Sequence, residues 1–433
     1  LIKVVKLLGS LVKEEPRLAR KLLEPLATII QNTTAKSLQY ECISTITLAL
    51  PYTKREDGTD AKNVPTILAL CNQQLQNLVK DDDPNLKYLG LVGYTQLMIS
   101  HPKLVIEQKD LILNCLNDED ITIKSKTLEL LTGIVTKKTL VDFIHHLLKH
   151  LRQAEGSYRD DIISAILNMG GLERFSLVTD FIWYVSVLQR LACIQGGGTN
   201  VGGINDNNKP HHGKKVAEQL MEITLRVKNV RPFAVECMVT MLLDGGKLIL
   251  GQAKDTVAEV MMAAAWICGE YSDILINIML DIKSDDDNDS GDEDDEDDQG
   301  YWIEGPEGDE IRSKWRNKPL LVMTLACLLH PRSTNLSSRV QSAFIHAAMK
   351  IFIRACDGRC SIEHLSQMLA LLRARLPIYL QSVHLEVQER ASTLRYLLAQ
   401  TNILPVNAGF PIDKENNSKK RNNNNNNNNK NNK

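Results

Sequence analysis

A five-residue theme recurs in this chain at a fixed distance, and that distance limits the fold more than any other feature. Asp83-Pro84-Asn85-Leu86-Lys87 is followed 37 residues later by Asp120-Ile121-Thr122-Ile123-Lys124, and at the same offset Leu91 is matched by Leu128 and Thr95 by Thr132. Self-similarity at such a period marks a supersecondary unit used repeatedly, and this length holds two short helices with their turns. In each copy an Asp is placed to cap a helix whose next turn sends an apolar residue inward and a Lys toward solvent. Glu386-Val387-Gln388-Glu389-Arg390-Ala391 repeats the theme near the end of the chain, with Glu in place of the cap.

Apolar residues recur at helical spacing almost throughout, broken by turn chemistry about every 15 to 20 residues, as short antiparallel helices require. Leu18, Leu22, Leu23, Leu26 and Ile29 form one stripe, and Leu86, Leu89, Val92, Leu97 and Met98 contribute to another. No segment sustains a period-two alternation between hairpin turns. One helix pair cannot bury its own apolar face, so such pairs stack on one another. The expected class is all-α, an α-solenoid of HEAT/armadillo-like helical repeats.

Three segments interrupt the pattern. Gln195 to Pro210 is rich in Gly and Asn and reads as a surface loop between helices. Ser284 to Gly300 is an acidic run that repels itself and stays solvated. After Pro405 the apolar period is lost, and the chain runs into eight consecutive Asn at 422 to 429 flanked by Lys. The expected layout is a repeat array over 1–282, an acidic disordered insert over 283–318, the later part of the array over 319–404 and a disordered tail over 405–433.

These segments explain the charge. The formal net charge of -2 combines 51 Lys and Arg with 53 Asp and Glu. Eleven of the acids lie between Asp285 and Asp298, and without them the remainder stands at +9. Six basic residues and one acid between Lys414 and Lys433 leave about +4 for the array itself. A chain so nearly balanced lacks the basic excess of a nucleic-acid binder, and none is expected as a partner.

Nine cysteines stand mostly alone within apolar stretches, a scatter that reads as buried thiols in a reducing compartment, without a disulfide framework. The longest unbroken apolar run, Val260 to Cys268, is far short of the roughly 18 residues of a membrane span. The chain opens on an amphipathic segment, Leu1 to Leu8, with no initiating Met, and is expected to start inside a longer protein.

Candidate chemistry is sparse. A phosphate loop needs Gly, four residues, then Gly-Lys-Ser/Thr at a helix start. Gly213-Lys214 has Asn208 and Lys215 in the other required places, and Gly246-Lys247 has Met241 and Leu248. His145, His146 and His150 lie close on one helix but lack the Glu of a catalytic zinc motif, and Lys149 would repel a cation. Cys356, Cys360 and His364 have ligand-like spacing without a fourth ligand. No catalytic residue, metal site or cofactor is expected. Within the acidic run, Ser284 precedes Asp285-Asp286-Asp287 and Ser290 precedes Gly291-Asp292-Glu293, the downstream pattern favoured by acidophilic kinases. A phosphate would add about -1.5 to -2 charges per site.

Six segments, in order, resemble the large adaptins, solenoid subunits of coat adaptor complexes. Leu38-Gln39-Tyr40-Glu41-Cys42-Ile43 is similar to the family's Leu-x-Tyr-Glu-Cys pattern, and Asp83 to Gly93 and Asp118 to Leu131 to the two helices that follow it. Trp183 to Leu188, Ala263 to Ser272 and Glu386 to Ala391 resemble the delta type of the third adaptor complex most. The likeness covers roughly 1–282 and 319–400. Trp183, Trp266 and Tyr271 also suit any seam between stacked helices, each being a large side chain with a polar handle.

The resemblance implies a non-enzymatic scaffold in vesicle-mediated protein transport. It would pair with beta-type, mu-type and sigma-type subunits, be recruited by an Arf GTPase, and reach the cytoplasmic tails of membrane cargo through the complex. Its place would be cytoplasmic, peripheral on Golgi, trans-Golgi and endosomal membranes and on coated vesicles bound for lysosome or vacuole. The family's membrane, GTPase and dileucine contacts involve an earlier part of the trunk, so no cargo-binding residue is assigned. Gamma or epsilon adaptins, and general HEAT scaffolds such as nuclear transport receptors, remain open on these residues.

Overall fold

In a computed structural model of the chain, residues 1–53, 63–195, 212–250, 255–277, 320–357 and 360–400 are described. They form helices and turns, with no strand among the described residues. Contacts group the chain into two units, Leu1–Thr179 and Asp180–Lys433.

The first unit contains α1 (Ile2–Leu11), α2 (Arg17–Asn32), α3 (Lys36–Ala49), α4 (Val64–Val79) and α5 (Pro84–Ser100). It continues with α6 (Pro102–Ile106), α7 (Lys109–Asn114), α8 (Ile121–Ile134), α9 (Leu140–Leu151) and α10 (Gly156–Gly171). Helices pair in sequence, α2 with α3, α4 with α5, α7 with α8 and α9 with α10. The second member of each pair packs on the second member of the next, so α3, α5, α8 and α10 make one continuous layer. This is the stacked-pair architecture that the 37-residue offset predicts.

The same logic builds the second unit from α11 (Phe181–Gln195), α12 (His212–Arg226), α13 (Arg231–Leu250), α14 (Asp255–Glu270) and α15 (Ser272–Asn277). After residue 319 come α16 (Leu320–Leu328), α17 (Ser338–Ala355), α18 (Ile362–Leu380) and α19 (Leu385–Gln400). Here α12, α14, α17 and α19 form one layer, and α11, α13, α16 and α18 the other. The helix α16 meets α13, α15, α17 and α18, and Leu320 to Ala326 are all buried. A helix apolar on every side is stable only when enclosed in this way.

Two expectations are refined. The core face of α2 is Ala19, Leu22, Leu23, Leu26 and Ile30, with Leu18 and Ile29 only half-buried at its margins. On α5 the buried residues are Gly90, Leu91, Gly93, Tyr94 and Leu97, and Leu86, Leu89, Val92 and Met98 are half-buried. The cause is the position of α5, flanked by α3, α4 and α8. The stripe predicted from apolar residues alone missed its glycines.

After α10 the backbone turns through Glu173, Arg174 and Phe175, at φ 45°, 58° and 67°. Three successive non-glycine residues in the left-handed region are costly, because each brings its Cβ against the following carbonyl. Phe175 and Val178, both buried, hold the turn in place. Arg174 is exposed, so Arg174→Gly removes the clash and little else. It should raise stability by about 0.5–1 kcal/mol, and Arg174→Val should lower it. Thermal unfolding of the two variants beside the parent checks both signs.

Candidate interaction surface

The capping Asp residues stand where the repeat requires. Asp83 Oδ1 accepts from the Asn85 N–H at 2.9 Å, and Asp120 Oδ1 from the Thr122 N–H at 2.8 Å. Two residues earlier, Asp81 and Asp118 accept from the N–H groups of Asp83 and Asp120 at 3.2 and 3.1 Å. Within the layer, α5 and α8 thus each begin on a pair of carboxylates that satisfy otherwise unpartnered donors.

The second pair of carboxylates also joins one repeat to the next. Lys87, on α5, donates to Asp118 at 2.7 Å, with side chains 25% and 15% exposed. Lys36, at the start of α3, makes the matching contact with Asp81. The expectation that this Lys points to solvent is therefore corrected: the 37-residue offset brings the next turn's carboxylate within its reach. The hydrogen bond to Lys87 holds the Asp118 carboxyl below its usual range, and the same bond pushes the Lys87 ammonium up. Lys124 in the following repeat lies 5.4 Å from the centre of the Tyr158 ring. Glu386 does not cap. It sits in the first turn of α19 and pairs with Arg390 at 2.8 Å, one turn on.

The motif helices are seams. A Cβ built on Gly90 would lie 2.6 Å from Val79 Cγ2 and one on Gly93 2.4 Å from Leu75 Cδ2, so the KYLGLVG segment lets α5 close onto α4. A Cβ on Gly269 would lie 3.1 Å from Ala347 Cα, and Ala263, Ala264 and Ala265 are buried. Small residues bring α14 against α17, and Glu270–Lys350 at 2.7 Å closes the rim of that contact.

Arg231 escaped the sequence reading. Its Nε donates to the Thr224 carbonyl at 3.0 Å and its Nη2 to the Leu225 carbonyl at 2.9 Å, both at the C-terminal end of α12. Its guanidinium lies 4.7 Å from the centre of the Tyr271 ring. The end of α12, the start of α13 and the end of α14 meet in that one clamp. Tyr184 to Gln219 at 2.8 Å and Tyr94 to Asn72 at 3.0 Å are similar buried ties between paired helices. No residue pattern signals such partners, because the acceptor lies in another helix.

Ser284, Ser290 and the Gly/Asn-rich stretch lie outside the described residues. Gly213-Lys214 lies in the first turn of α12, and Gly246-Lys247 within the helical span of α13. On α9, His145 and His146 are exposed, whereas His150 is half-buried and its pKa is lowered by burial and then by His146. Cys356 closes α17, and the N–H of His364 is taken by the Ser361 hydroxyl at 3.2 Å in the first turn of α18. Among the described residues no group of three His, Cys, Asp or Glu is placed to hold a metal ion. Burial pushes the thiols of Cys42 and Cys115 up to about 11 and those of Cys71 and Cys237 to about 12, so they stay protonated at neutral pH. No described helix is long and apolar enough to cross a membrane. What the arrangement offers chemically is surface, held in register by buried seams.

The family model described as the adaptin N terminal region matches residues 1–402. The AP-3 complex subunit delta-1 of Bos taurus is 33% identical over 403 residues, covering 92% of this chain and 28% of the relative. The AP-3 complex subunit delta of Dictyostelium discoideum is 32% identical over 424 residues, covering 92% of this chain and 31% of the relative. The chain thus spans less than a third of the length of either. Among structures, a homology model of the full-length AP-3 complex in an intermediate open conformation aligns with a TM-score of 0.59 at 20% identity. It covers 92% of this chain and 62% of that one, and shares the helical fold.

Two substitutions test the seams. Gly269→Val should cost about 2 kcal/mol, because its side chain meets the α17 backbone at Ala347. Asp118→Asn should cost about 1 kcal/mol at neutral pH. The folded pKa of Asp118 is depressed, so its contribution is present above the unfolded value of about 4 and is lost as pH falls through the folded one. The raised pKa of Lys87 has the opposite sense, with the contribution lost as pH rises through its folded value. Urea unfolding across pH checks both: the Asn variant and the parent should converge in acid.

Proposed function

Because the chain belongs to the adaptin family, we propose that it is part of the delta-type large subunit of an adaptor complex of the AP-3 kind. In this reading it is a non-enzymatic scaffold for cargo selection and for vesicle transport from Golgi and endosomes to lysosome or vacuole. The observation that carries the proposal is identity of 32% and 33%, over 92% of the chain, to two relatives that both bear the AP-3 delta name. Stacked helix pairs joined by buried seams also suit a subunit that must offer a large, fixed surface to other chains.

The partners proposed are beta-type, mu-type and sigma-type subunits, an Arf GTPase and, through the complex, the cytoplasmic tails of membrane cargo. The location proposed is cytoplasmic and peripheral on Golgi and endosomal membranes. The division into an array at 1–282 and 319–404, with 283–318 and 405–433 outside it, belongs to the same reading. So does modification of Ser284 and Ser290 by an acidophilic kinase, which would deepen the charge of the acidic run.

Affinity purification of the full-length protein from its own cells tests the assignment. Beta, mu and sigma adaptor subunits should co-purify in equal amounts. Recovery of nuclear transport cargo or a phosphatase catalytic subunit in their place would overturn it.

A further inference from the structure

We draw no further inference here: the strongest candidate, the exposed apolar stripe of Val4, Leu7 and Leu11 on α1, which packs against α3, carries none because nothing in the structure shows what covers it.

Discussion

Two antiparallel helices cover one flank of each other and leave the remaining flanks to water or to another helix. Every seam in this chain follows from that geometric deficit. The helix α5 meets α4 in its own pair and α3 and α8 in its layer, and α14 is placed in the same way among α12, α13 and α17. Close approach on several sides at once demands small residues where backbones converge, and that is where Gly90, Gly93 and Gly269 lie. The polar ties, Lys87 to Asp118 and Arg231 to the end of α12, then fix the register of surfaces already brought together by apolar contact.

Energetically the two kinds of contact are unequal. A half-exposed ion pair contributes about 1 kcal/mol or less, whereas a fully buried Leu or Ile contributes about 1.5–3 kcal/mol. The carboxylates at the start of α5 and α8 therefore matter mainly for direction: they end one helix, begin the next and reach back for a Lys of the preceding repeat. Burial by the neighbouring repeat supplies most of the stability.

What the sequence disclosed, and what it withheld, divide along the distance between interacting residues. The caps at Asp83 and Asp120 were legible because donor and acceptor are two residues apart. Helix class was legible because period is a local property. The Lys87 contact was misread as solvent-facing, since its partner lies 31 residues away and only the assembled repeat brings it close. Tyr271 was legible as a side chain suited to a seam, but Arg231 carried no signal, since its ring partner is 40 residues away and its acceptor carbonyls are ones that any residue could supply. Glu386 shows the opposite hazard, a local pattern that matched a cap and formed an ion pair within its own helix.

Seams confined to neighbouring helix pairs have a consequence for how such a chain changes over generations. In the sequence, the Gly/Asn-rich stretch falls between α11 and α12, and the acidic run between α15 and α16. Lengthening a flexible loop between helices adds only a logarithmic entropy term, so the length of such a loop is free to drift. A methyl group added at Gly90 or Gly269 enjoys no such freedom, because a neighbouring helix already occupies the space. Two clocks should therefore run in one gene, fast in the connections and slow at a few glycines and alanines.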